Sequence, residues 1–232
     1  RSKIYLMRVD TLSRNDNVIT DFPGSDGEHH LQDRYGTQKR ACSFYANQML
    51  DHLNAEMREF IAGQEMVFVA TADSKGECDC SLRCGQEGFV RIFDAKHLVY
   101  PEYRGNGVMA SIGNISTNGH VGLFFADFFS STVGLHVNGK ASIVENDELL
   151  QRGDLPAEIK SDIGLKGGRV PERWVEVEVE EAYIHCSKHV PLLKKLDKEV
   201  DWGTDNEFMK GGDFFKAKKT DSPWKVRSGA DR

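Results

Sequence analysis

The segment Trp174-Val-Glu-Val-Glu-Val-Glu-Glu-Ala-Tyr-Ile-His185 constrains the fold most, because Val175, Val177 and Val179 alternate with Glu176, Glu178 and Glu180. Period two with β-branched residues on one side specifies a strand with one buried face and one wet face, as in antiparallel sheets. Such a strand needs partners, and the chain supplies them at short intervals. Met66 to Thr71 is rich in strand formers, Asp73-Ser-Lys-Gly76 is a turn, and Glu77 to Arg83 runs back as the other arm of a hairpin. Gly88 to Phe93 meets His97 to Tyr100 across Asp94-Ala-Lys, and two further strands are expected over 120–129 and 132–144. Short strands, tight connections and one intervening helix predict an antiparallel barrel. Continued without a bulge, the last strand puts Tyr183 and His185 on the valine face and Ala182 and Ile184 on the other. Its outer face then turns apolar near the end, where a subunit contact is expected.

The strand at 120–129 has Val121, Leu123 and Phe125 on one face and Phe124, Ala126 and Phe128 on the other, so neither face is made for water. Terminal helices are expected to cover one side and a second subunit the other. In the next strand His136, Asn138 and Lys140 alternate with Leu135, Val137 and Ala141. That polar row either lines a ligand at the interface or faces solvent.

With 232 residues the chain can build one sizeable core with extensions. Residues 1–53 read as an N-terminal extension, with a loop at 21–27 and a helix from Lys39 to Leu50. A second helix starts at Asn54, carries Met57, Phe60 and Ile61 on one face and ends near Gly63. Residues 54–190 form the barrel domain and 191–232 a C-terminal extension. A net charge of −6, with bases interleaved among acids, argues against a general nucleic-acid binder. The apolar runs are strand-sized, so no membrane span is expected, and an N-terminus without a signal-peptide pattern makes the cytoplasm the expected place. The five cysteines are an odd number and are expected as reduced thiols. Cys78, Cys80 and Cys84 share one face by period two and are expected in the core rather than on a metal. No metal site is expected.

Function is concentrated between Tyr100 and Gly119. An apolar strand there runs into Arg104-Gly105-Asn106-Gly107 and then into a helical pattern beginning near Val108. A guanidinium, an amide and bare backbone N–H groups at the positive end of a helix suit an anion such as phosphate. A glycine hairpin with a solvated arginine is the alternative.

Several segments together resemble one family. Phe68-Val-Ala-Thr-Ala-Asp73, Cys80-Ser-Leu-Arg83, Gly88-Phe-Val-Arg-Ile92, Tyr100-Pro-Glu-Tyr-Arg-Gly-Asn-Gly107, Ser111-Ile-Gly-Asn-Ile115, Val137-Asn-Gly139 and Tyr183-Ile-His-Cys-Ser-Lys-His189 occur in the order and spacing of the pyridoxamine-phosphate-oxidase-like family. The resemblance covers roughly 55–190, and Gly27 to Gly36 is similar to the lead-in of a subgroup with a long N-terminal extension. It implies a mainly β fold with flanking helices, a six-stranded antiparallel split barrel of the FMN-binding type, in a homodimer with two flavin sites between subunits. By the same resemblance Ser81 and Arg83 meet the flavin ring and ribityl chain, with Tyr100, Pro101 and Glu102 on the neighbouring strand. Arg104, Gly105 and Asn106 fall at the flavin phosphate, with Ser111 and Asn114 in the following helix. His136, Asn138, His185 and Lys188 are expected to come from the partner subunit.

The implied activity is flavin-dependent oxidoreduction of a small molecule, with hydride or electrons passing from a reduced nicotinamide or another donor. The cofactor carries the electrons, so no catalytic nucleophile is named. No counterpart of the Arg-Leu-His substrate tract of true pyridoxamine phosphate oxidases follows; the chain continues as Gly211-Gly-Asp-Phe-Phe-Lys-Ala-Lys-Lys-Thr220. Vitamin B6 oxidation is therefore not expected. The Arg-Gly-Asn-Gly loop also departs from the serine- and lysine-rich phosphate loop of those enzymes, so FMN leads while FAD and a deazaflavin stay open. A binding, storage or sensing role for flavin or haem is the competing class, since eight histidines include His185 and His189 beside Cys186.

Overall fold

The period-two segments predicted from the sequence pair into one antiparallel sheet. The structure is a computed structural model and describes residues 23–153 and 155–224. The chain divides into two units, the first ending at Asn47 and the second starting at Gln48. Part of the loop predicted at 21–27 lies outside the described residues.

In the first unit α1 (Asp26–Tyr35) begins at a capping box: Ser25 Oγ accepts from Glu28 N at 3.3 Å while Glu28 Oε2 accepts from Ser25 N at 2.6 Å. It ends at Gly36 in the left-handed conformation, with φ of 63°. Gln32 Nε2 donates to Tyr45 Oη at 2.7 Å, tying α1 to α2 (Gln38–Gln48). That second helix stops short of Leu50 because Met49–Leu50 turns extended and becomes β1 of the next unit.

The second unit opens with α3 (Ala55–Ala62), capped as predicted by Asn54 Oδ1 accepting from Met57 N at 2.9 Å. Ile61 is fully buried, and Met57 and Phe60 pack on the core beside it. Strands β2 (Met66–Ala72) and β3 (Cys78–Cys84) form the predicted hairpin, and Asp73 Oδ1 accepts from Lys75 N and Glu77 N in the turn. Of the strand expected at 88–93 only Arg91–Ile92 pairs, as β4, against β5 (His97–Glu102). Helix α4 (Ala110–Thr117) starts after Val108, because Met109 takes a left-handed φ of 56° and delays it. Next come β6 (His120–Ala126) and β7 (Gly134–Val144), each starting or ending inside its predicted range. Two short helices follow, α5 (Asn146–Leu150) and α6 (Ala157–Ile163), then β8 (Arg173–His185).

The strand order is β3-β2-β6-β7-β8-β5-β4, with β1 on β8; six strands are long and two have only two residues. This is the antiparallel, helix-flanked split barrel that the resemblance implies. Val67, Val69, Leu98, Leu123, Phe125, Val137, Val175 and Val177 fill its interior. Each such side chain contributes about 1.5–3 kcal/mol on burial. A second cluster, Val99, Val144, Leu149, Leu155, Ile159 and Trp174, seats α5 and α6 on the back of β5. Trp174 Nε1 donates to Asn146 Oδ1 at 2.9 Å there.

Two expectations about strand faces are corrected. The register of β7 and β8 shifts between Asn138 and Gly139, which pair with Glu181 and Val179 and leave Glu180 as the extra residue of a bulge. Past that bulge the phase of β8 reverses. Ala182 joins the valines in the core, while Tyr183 and His185 stand on the outer face. Cys78, Cys80 and Cys84 do share a face, but it is the outer one, and all three are exposed. Their partners across the hairpin explain this: Cys80 lies opposite Ala70, whereas Ser81 lies opposite the buried Val69.

Candidate functional site

Because β3 alternates, turning its cysteines outward turns Asp79, Ser81 and Arg83 toward the core side, where β5 and α4 meet them. Ser111, in the first turn of α4, sits against β3. Ser81 Oγ and Ser111 Oγ both donate to Asp79 Oδ2, at 2.8 and 2.9 Å, and lie 3.0 Å from each other. Ser111 thereby ties the first turn of α4 to β3. Further along α4, Asn114 Nδ2 donates to the buried Thr71 Oγ1 at 3.1 Å.

Beside this triangle Arg83 Nε donates to Glu102 Oε1 at 2.7 Å. The side chains are 20% and 8% exposed, so the pair is mostly desolvated and its bond is charge-assisted. Tyr100, two residues before Glu102 on β5, is fully buried, and among the described residues its hydroxyl has no hydrogen-bond partner. Burial raises the pKa of this phenol, the Glu102 charge raises it further, and the Arg83 charge works against both. Pro101 is buried in the strand between them.

The chain then leaves β5 through the glycine turn. Asn106 Oδ1 accepts from Val108 N at 2.9 Å, an Asx turn that holds the loop. Gly107 takes a φ of +80°, and space is open where a Cβ would stand on Gly105 or Gly107. The turn is thus backbone presented to solvent. Arg104 is exposed and pairs through Nη2 with Asp205 Oδ2 at 2.6 Å.

The remaining predicted residues form a separate group on the outer face. Pairing across the strands aligns Leu82, Phe68, Phe124, His136 and Tyr183 in one row. His136 stacks on Tyr183 with ring centroids 4.8 Å apart, and its Nε2 is 3.1 Å from His185 Nδ1. Burial lowers the pKa of His136, and the neighbouring His185 lowers it further. Asn138 Nδ2 donates to Glu181 Oε2 at 3.2 Å. Lys188 is exposed in the turn after β8. His185 and His189 share no helix face, because a strand ends at the first and a 3-10 turn holds the second. One chain therefore does not bring this outer group to the Ser81 and Arg83 group.

The sequence profile of the pyridoxamine 5'-phosphate oxidase family matches residues 53–186, more than half of the chain and the span from α3 to the end of β8. The chain belongs to this family. No protein of curated function matches the sequence. Among solved structures, HupZ of Group A Streptococcus is similar at 25% identity over 61% of this chain and 99% of that one, with a TM-score of 0.42. The heme storage protein HutZ of Vibrio cholerae is similar at 16% identity, over 57% and 93% of the two chains, with a TM-score of 0.37. An FAD-binding protein of Mesorhizobium loti is similar at 13% identity, over 59% and 96%, with a TM-score of 0.40. Among the described residues no helix is long and apolar enough to cross a membrane, and no group of three or more metal-ligating side chains occurs.

Asp79 was not among the residues predicted for the site. Its signal in the sequence is the alternation of Asp79, Ser81 and Arg83 opposite the cysteines, which brings Asp79 to the site once the cysteines face outward. Asp205 had no local signal, because its role comes from where the C-terminal extension runs.

The donor set fits different parts of a flavin nucleotide. Asp79 and the two serines form an acceptor-rich corner, suited to hydroxyl groups and poor for a second anion. The Arg83 and Glu102 pair presents a guanidinium and a carboxylate to a heteroaromatic edge. The glycine turn with Arg104 offers backbone N–H groups and one cation, which suit an anion.

Proposed function

We propose that the chain binds a flavin, FMN first with FAD or a deazaflavin as alternatives, and is a cytoplasmic flavin-dependent oxidoreductase. Hydride or electrons pass between a reduced nicotinamide or another donor and a small-molecule substrate. The observation that carries this reading is the run of polar groups from Asp79, Ser81 and Ser111, past Arg83 and Glu102, to the Arg104 turn. A flavin, when bound, supplies the electron chemistry, and the protein binds and orients it. Ser81 and Ser111, fixed by Asp79, receive the hydroxyls of the ribityl chain. Arg83, steered by Glu102, faces the ring edge, and the backbone of Gly105 to Gly107 with Arg104 holds the phosphate. Tyr100 is too deep for the ligand and acts from below by keeping the Arg83 and Glu102 pair dry.

The working unit in this proposal is a homodimer. The outer row Leu82, Phe68, Phe124, His136 and Tyr183 supports it, because Leu82 is 49% exposed and the other four are ring side chains, a strip suited to a second copy. His136, Asn138, His185 and Lys188 then complete the partner's flavin site.

The paired imidazoles of His136 and His185 favour a second reading, a haem-binding protein with little turnover, since imidazole is a haem-iron ligand. Reconstitution of the purified protein with FMN, FAD, riboflavin and haemin, followed by reduction with NADPH, tests both. Stoichiometric flavin uptake with bleaching and reoxidation supports the enzyme. Haem uptake with no flavin uptake supports the second reading.

A further inference from the structure

The C-terminal extension crosses the glycine turn and is held there at three points. Gly168 and the Trp202–Gly203 backbone are so close that a Cβ on Gly168 would stand 1.7 Å from Trp202 O. Only glycine permits that approach. Tyr103 and Trp202 meet edge to face, with centroids 5.1 Å apart. Arg104 Nη2 lies 2.6 Å from Asp205 Oδ2, and Lys210 Nζ lies 3.8 Å from the other carboxylate oxygen. Upstream, Leu193 N donates to Phe128 O at 2.7 Å and Lys195 pairs with Glu65, whereas past Asp205 the described residues of the extension are largely exposed. Residues 202–204 are half-buried, but 205–212 are exposed, and Phe208 is 94% exposed. A segment anchored by few buried contacts opens locally at low cost.

We propose that residues 200–206 are a strap that the chain latches over its own phosphate-binding turn, with the Asp205 carboxylate holding the Arg104 guanidinium in place of a phosphate monoester. The inference rests on the reading of Arg104 to Gly107 as the anion seat. Asp205 is a carboxylate on the cation that the phosphate needs, so the two compete for Arg104. Ligand entry lifts Asp205 from Arg104, and the Gly168 seat and the Trp202 ring decide how readily the strap lifts. An exposed ion pair is worth at most about 1 kcal/mol, which sets the competition at roughly two- to five-fold in affinity.

The full chain tests this, with Asp205→Asn, Gly168→Ala and Arg104→Ala titrated against FMN and riboflavin, which differ by the phosphate alone. Asp205→Asn removes the competing charge and keeps the shape; Gly168→Ala unseats the strap without touching the ion pair. Both are expected to tighten FMN about two- to five-fold and leave riboflavin unchanged, while Arg104→Ala weakens FMN. Hydrogen exchange over 200–206 in the wild type is expected to quicken when FMN binds. If Arg104→Ala weakens FMN but Asp205→Asn and Gly168→Ala leave it unchanged, the strap is overturned and the flavin reading stands. If the wild type binds no flavin, the flavin reading falls and inorganic phosphate becomes the probe. Faster exchange over 200–206 in phosphate than in chloride of equal ionic strength then supports the strap, and equal exchange overturns it.

Discussion

Arg83 donates to Glu102 at 2.7 Å in a pair that is mostly out of water, so each charge depends on the other. Removing one partner of such a pair costs about 3–5 kcal/mol, whereas removing both costs much less. Arg83→Met is therefore expected to lower folding stability by about 3 kcal/mol, at the low end because Arg83 keeps some solvent. The double variant Arg83→Met with Glu102→Gln is expected to recover most of that loss. A double-mutant cycle by denaturant unfolding reads the coupling, and simple additivity would show that the pair is not coupled.

His136 gives the fold a pH dependence. Burial, helped by His185, keeps its imidazole from taking a proton until the pH is below the ordinary value of 6.5. The unfolded chain takes that proton first, so this contribution to stability is full above 6.5 and is lost as the pH falls through the folded-state pKa. His136→Gln is expected to flatten unfolding midpoints measured between about pH 5 and 7. An unchanged slope would remove His136 as the cause.

The bulge in β8 sets which side chains face outward. A Cβ on Gly139 would stand 2.0 Å from Glu178 O, and that backbone cannot move without breaking the register. Gly139→Ala is expected to cost about 1–3 kcal/mol in thermal or denaturant unfolding. It is also expected to disturb the outer face, and gel filtration of the variant is expected to show less of the proposed dimer.

That bulge marks where the sequence is hard to read. The alternation of Val175 to Val179 makes a strand unmistakable, and the Asn54 cap and Asp73 turn are local signals that the structure follows. The phase slip was present as the doublet Glu180-Glu181 before Ala182, yet strict period two assigned Tyr183 and His185 to the wrong face. Helices α5 and α6 were not predicted, because their apolar residues, Leu149, Leu155 and Ile159, are few and gain a role only against Trp174. In the site, Ser81, Arg83, Glu102 and Ser111 were legible through resemblance and converge in space. Asp79 became visible only when the hairpin register fixed which face of β3 turns inward.

The glycine turn is the anion seat in this account, and its two functional side chains have different tasks. Arg104 supplies the charge, and Asn106 holds the loop through Val108 N. Arg104→Ala together with Asn106→Ala is expected to weaken FMN binding by about 2–4 kcal/mol and riboflavin binding far less. Isothermal titration of the reconstituted protein measures both, and equal losses for the two ligands would place the phosphate elsewhere.

The most direct test is to release the small molecule from the purified full-length protein, identify it by mass spectrometry and take the absorption spectrum before release. A yellow protein that yields FMN in close to stoichiometric amount is expected. A colourless protein that takes up no flavin on reconstitution would contradict the flavin reading.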